Sequence, residues 1–131
     1  MIYGYDNSNG IEMFETAMEA AGIAWWVMEL PSGVIFFSPN KTRMLSRSHE
    51  DFHHYKQFTD LVHPDDYDNM MKAMTDHIEG KSDTYDTKYR IKASDGTYKT
   101  FYDRGSIVGK KPNGEIAIAG VVIDISTYGG E

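Results

Sequence analysis

Residues 23–30 read Ile-Ala-Trp-Trp-Val-Met-Glu-Leu, and this run constrains the fold more than any other part of the chain. Side chains alternate along a strand, so Trp25 and Val27 point one way while Trp26, Met28 and Leu30 point the other. A strand that is apolar on both faces must be covered on both sides. Pro31-Ser32-Gly33 supplies a turn, and residues 34–38 return as a second strand, so the two form a hairpin inside a layered structure.

The flanking segments provide the layers. Ile11, Phe14, Ala17, Met18 and Ala21 recur at helical spacing. They predict a helix within residues 10–22, capped by Ser8 or Asn9, behind a flexible segment 1–9; this helix is the expected cover for one face of the hairpin. Between Pro39 and Pro64 the pattern gives only short helical pieces: one carrying Met44 and Leu45, one opened by Ser48, and one over residues 58–62. Pro64-Asp65-Asp66 then opens a longer helix reaching Glu79, with Met70, Met71, Met74 and Ile78 as its inward stripe. Three alternating runs follow at residues 84–93, 97–109 and 116–125, separated by Ser94-Asp95-Gly96 and Lys110-Lys111-Pro112-Asn113-Gly114 turns. The order predicts an α+β domain. It has one five-stranded antiparallel sheet, short helices on one face and an N-terminal helix; residues 127–131 form a C-terminal linker.

Composition narrows the function. The 131 residues suit a single domain, large enough to fold without a metal or disulfide. Thirteen Lys and Arg against 20 Asp and Glu give a net charge of −7, which disfavours nucleic acid and anionic membranes as partners. The chain has no Cys, excluding disulfides, cysteine nucleophiles, thiolate metal sites and cysteinyl–flavin photochemistry. No apolar run approaches the roughly 20 residues that span a bilayer, and residues 1–6 lack a leader pattern. A cytoplasmic domain making no membrane contact of its own is the expectation.

Polar clusters point away from catalysis. In His63-Pro64-Asp65-Asp66 the two carboxylates point apart, and capping the following helix accounts for them. His53 and His54 face different ways, making a poor chelate, and read as an exposed polar loop. His77 lies beside Asp76 and Glu79, on an apparent solvated face. Arg90 and Arg104 are placed to pair across strands with Asp86 and Asp103, or with an anionic ligand. No nucleophile elbow and no phosphate-binding glycine loop is present. The surplus of Met, Tyr and Phe is the informative feature. It makes either a plain core or a cavity between sheet and helices, where Met can repack around a guest. The cavity reading takes in Trp26, Met28, Phe36, Met44, Phe58, Met70, Met74, Tyr89 and Phe101.

Four ordered segments resemble the PAS domains common in bacterial and archaeal histidine kinases and cyclic-dinucleotide enzymes. They are Trp26-Val27-Met28-Glu29-Leu30 with Ser32-Gly33 and Ser38-Pro39; Val62-His63-Pro64-Asp65-Asp66; Tyr89-Arg90 with Asp95-Gly96; and Gly120 followed by Asp124-Ile125-Ser126. Glu29 stands where that family usually has Asp, Phe101 where Trp is commonest, and Ser126 in place of Thr; residues 46–55 lack its usual Gly-Tyr. The resemblance implies a sensor domain over residues 23–126 that is regulatory rather than enzymatic. It also implies a homodimer, a small ligand or protein partner, and relay through Asp124, Ile125 and Ser126 into an attached effector, a kinase or cyclase. No cofactor is required; haem, held by His77, and flavin remain the less favoured options. The alternatives are a ligand-free interaction module and, more remotely, a small cone-fold enzyme, for which Glu29 is the acid nearest the first strand.

Overall fold

The computed structural model describes residues 7–128. Helix α1 (Asn7–Ala20) leads into strand β1 (Ile23–Leu30) and strand β2 (Ile35–Phe37). Helix α2 (Asn40–Arg43), a 3-10 turn at His49–Asp51 and helix α3 (Tyr55–Thr59) precede the long helix α4 (Pro64–Ile78). Strands β3 (Tyr85–Lys92), β4 (Tyr98–Lys110) and β5 (Ile116–Asp124) follow, and a 3-10 turn spans Ile125–Tyr128. The sheet order is β2-β1-β5-β4-β3, antiparallel throughout, so the last three strands join the opening hairpin through β5 against β1. The expected α+β architecture is therefore the observed one.

The register sorts the sheet into two faces. Ala24, Trp26 and Met28 lie beside Val122, Gly120 and Ile118, and these face the helices. The core on that side also takes in Phe37, Leu45, Phe58, Met70, Tyr89, Ile91 and Phe101. Trp26 explains two glycines that interrupt strand patterns. Gly105 and Gly120 are register partners, and the Trp26 indole lies across both. A Cβ on Gly120 would sit 2.2 Å from the Arg104 carbonyl oxygen and 2.6 Å from Trp26 Cζ2. Bare backbone is what lets a large ring lie flat against two neighbouring strands.

Several expectations at the periphery change. Helix α1 starts at Asn7, so Ser8 and Asn9 lie inside it rather than capping it; residues 1–6 of the expected flexible segment fall outside the described residues. Residue 127 belongs to the final 3-10 turn, and residues 129–131 of the expected linker are outside the described range. Helix α1 covers the outer sheet face only in part. Glu15 accepts a hydrogen bond from Trp25 Nε1 at 2.7 Å and Glu19 pairs with Arg43 at 2.8 Å, while Ile11 and Phe14 remain 66% and 56% exposed. The helix is held by polar contacts along one edge, and the front of its apolar stripe points to solvent. Among the described residues no helix is long and apolar enough to cross a membrane.

Candidate functional site

Helix α4 forms one wall of the site and is pinned at both ends. Pro64 suits its first turn, and His63 caps it, Nδ1 accepting the Asp65 N–H at 3.0 Å. Capping is thus done by the histidine rather than by the two carboxylates. Asp66 reaches β3 instead: its oxygens accept Nε–H and an Nη2–H of Arg90 at 2.8 and 2.9 Å, and the Arg90 backbone N–H at 2.8 Å. Those bonds hold the Asp66 carboxyl down to about 2. Arg90 therefore pairs with α4 and not with Asp103 across the strands, whereas Arg104 does pair across the strands with Asp86. At the other end His77 is buried, not solvated. Its Nε2 accepts the Ile107 N–H at 3.0 Å, which leaves Nδ1 as donor to the Ser82 carbonyl at 3.0 Å.

The other polar clusters are also structural. His54 caps α3, its Nδ1 accepting the Lys56 N–H while Gln57 accepts the His54 N–H, so the expected exposed polar loop ends in a capping box. Glu29, the acid that the enzyme alternative placed nearest the first strand, pairs with Lys111 at 2.6 Å.

Between the inner sheet face and helices α3 and α4 lies a cavity of about 190 Å³, partly open to solvent. Its apolar lining comes from Met28, Leu30 and Ile35 on the hairpin, Tyr55, Phe58 and Val62 on and after α3, and Met70, Met71, Met74 and Ile78 on α4. The sheet adds Trp26, Tyr85, Tyr89 and Ile91. Of the residues assigned to the cavity from sequence, Trp26, Met28, Phe58, Met70, Met74 and Tyr89 line it. The other three do not. Phe36 pairs in register with Val27 on the outer face and is 52% exposed, because one residue of strand parity sends Ile35 and Phe37 inward instead. Phe101 faces inward but is fully buried behind Tyr89, with ring centroids 6.2 Å apart. Met44 packs against the core away from the void.

The sequence reading missed two charges within this apolar lining, Lys41 and Asp103. Asp103 is buried; its Oδ1 accepts Trp26 Nε1–H at 2.7 Å and its Oδ2 accepts the Tyr89 hydroxyl at 2.8 Å. Burial pushes its carboxyl up to about 6, against the opposing pull of Lys41 and of those two hydrogen bonds. Lys41 is 3% exposed, with Nζ 3.6 Å from the centre of the Phe58 ring. Burial lowers its ammonium to about 8, and the Asp103 charge offsets part of that. The Tyr85 and Tyr89 hydroxyls are pushed well up by burial and then by Asp103. For Asp103 a signal existed: it shares strand parity with the inward Phe101. For Lys41 none did, because Asn40-Lys41-Thr42-Arg43 carries no apolar period.

Haem and flavin do not suit this site. Both His77 nitrogens are engaged, and the volume lies below the roughly 300 Å³ at which drug-sized pockets begin. It exceeds the roughly 150 Å³ that holds one benzene.

Compared with known proteins, the family profile described as the PAS fold matches residues 34–122. The chain belongs to the PAS-fold family. A sensory box histidine kinase/response regulator from Burkholderia thailandensis is similar in structure, with TM-score 0.70 and 21% identity over 88% of this chain and 86% of that one. The N-terminal domain of a diguanylate cyclase with PAS/PAC sensor from Marinobacter aquaeolei gives TM-score 0.71 and 19% identity, over 82% and 99%. A methyl sulfide methyltransferase-associated sensor of Methanosarcina acetivorans is 30% identical over 70 residues, 53% of this chain; the match spans 7% of that relative's length. At this level the chain is a PAS-fold domain, and the proteins it resembles are described as sensors, kinases and cyclases.

Proposed function

We propose that this PAS domain reports occupancy of the cavity between sheet and helices, and that a small guest there biases the sheet toward one of two arrangements. The observation that carries the reading is the placement of Trp26. Its indole borders the cavity, donates to Asp103 on β4 and rests on the Gly105–Gly120 pair that joins β4 to β5. A guest that shifts Trp26 moves both strands. Strand β5 ends at buried Asp124, whose carboxylate accepts the Ser126 N–H at 3.1 Å and whose own N–H donates to the Gly22 carbonyl. The relay through Asp124, Ile125 and Ser126 thus starts where the chain also leaves α1, and an attached kinase or cyclase would read it. The exposed Ile11 and Phe14 on α1, with Phe36 and Val121 on the outer sheet face, suit a second copy of this chain.

A small enzyme on this fold would need a titratable pair inside the cavity, and Lys41 and Asp103 both line it. Both Asp103 oxygens, however, already hold Trp26 and Tyr89, which makes the carboxylate a bracket of the sheet rather than a free base. Native mass spectrometry of freshly purified protein, combined with hydrogen exchange along β5, tests the proposal. A co-purified small mass whose removal speeds exchange in β5 supports it. Unchanged exchange between loaded and stripped protein overturns it.

A further inference from the structure

Within the cavity the hydrogen-bonding needs of the two charges are unequal. Each Asp103 oxygen holds a donor, Trp26 Nε1–H on one and the Tyr89 hydroxyl on the other. The Lys41 ammonium has three N–H donors and rests on the face of Phe58; among the described residues it makes no side-chain hydrogen bond or ion pair, Asp103 is the charge that acts on it, and its tip is open to the void rather than sealed. The side chain is 97% buried by its 3% exposure, and its tip borders the void. A cation in such surroundings is costly unless acceptor oxygens complete its shell, and Asp103 supplies charge but spends its oxygens on Trp26 and Tyr89. The missing partner is therefore an acceptor. The remaining wall is apolar and rich in methionine, at Met28, Met70, Met71 and Met74, and the volume of about 190 Å³ takes one ring or a short branched chain.

Building on the occupancy reading above, we infer that the cavity is a site for a small amphipathic carboxylate, its oxygens on the Lys41 ammonium and its hydrocarbon body among the α4 methionines. The carboxylate accepts two of the three Lys41 N–H donors while the Phe58 ring stays beneath the ammonium. Charge-assisted bonds of this kind strengthen in an apolar enclosure, which is what separates a carboxylate from its amide here. Selection by size follows from the pinned ends of α4, because Asp66–Arg90 and His77–Ile107 limit how far the methionine wall retreats.

The test uses isothermal titration calorimetry on the intact chain with four probes: benzoate, isovalerate, benzamide and toluene. Benzoate or isovalerate should bind the wild-type protein at least tenfold more tightly than benzamide. In Lys41→Met, which keeps the chain length and drops the charge, that preference should vanish while toluene binds as well as before or better. The comparison of benzoate with benzamide on the wild-type protein stands even if the variant fails to fold. If toluene and benzamide bind but neither carboxylate does, the carboxylate site is overturned and the occupancy reading survives. If no probe binds and the stripped protein also shows no response in β5, both fall.

Discussion

Removing the charge of Asp66 probes how the cavity wall is held. Asp66→Asn keeps an acceptor for the Arg90 backbone N–H and loses the ionic, two-oxygen grip on the guanidinium. In the folded protein the carboxyl is held down to about 2, against an ordinary 3.8. Each tenfold change in proton affinity is worth about 1.4 kcal/mol, so the unscreened difference is roughly 2.5 kcal/mol. The Asp66 side chain keeps 22% of its surface and Arg90 keeps 43%, so water weakens the pair, and about 1–2 kcal/mol is the expected loss at pH 7. The folded carboxyl is the stronger acid, so its contribution is present in full above 3.8 and disappears as pH falls toward 2. Urea unfolding of wild type and Asp66→Asn across pH 7 to pH 3 should show two stability curves that approach each other below pH 4. A gap that stays constant with pH, or no gap at pH 7, would refute the idea that an ionic clamp fixes α4 to β3.

Three further outcomes follow from the same geometry. Gly120→Ala should lose about 3 kcal/mol or more in urea unfolding and disturb the near-ultraviolet signal of Trp26, since the new methyl meets a backbone oxygen and the indole together; a neutral substitution would mean that the ring does not lie there. Lys41 is lowered from 10.5 to about 8 on folding, so its burial penalty is complete below pH 8 and fades between 8 and 10.5. Lys41→Met should therefore gain stability at pH 7, with the gain shrinking toward pH 10.5 in thermal scans, and a loss at pH 7 would reverse the sign argued here. Ile11→Lys with Phe14→Lys should leave the melting temperature within a degree or two and convert a dimer to a monomer by analytical ultracentrifugation; a wild-type monomer, or a dimer that survives both changes, rules out pairing through α1.

Much of the architecture was legible because periodicity is a local property. The alternation in 84–93 and 97–109 and the methionine stripe of α4 need only neighbours two or four residues away, and the structure keeps them with ends moved by at most one residue. Phe36 failed for an equally local reason. In an apolar triplet such as Ile35-Phe36-Phe37 the pattern cannot say which residue is the odd one, and the pairing of Phe37 with Trp26 decides it. Arg90 failed because its cross-strand neighbour is visible in sequence while Asp66, 24 residues away, is not.

The amino-acid sequence alone determined the order of elements, the alternation along β1 that sends Trp26 and Met28 to one face, and the absence of any cysteine chemistry, since each rests on residue type and near-neighbour spacing. Only the tertiary structure decided that Lys41 and Asp103 share one apolar enclosure, that the Gly105–Gly120 pair exists to seat Trp26, and that both nitrogens of His77 are engaged. Those facts depend on contacts between segments far apart in the chain, where one strand's register or one helix's rotation sets which polar groups meet and which lacks a partner.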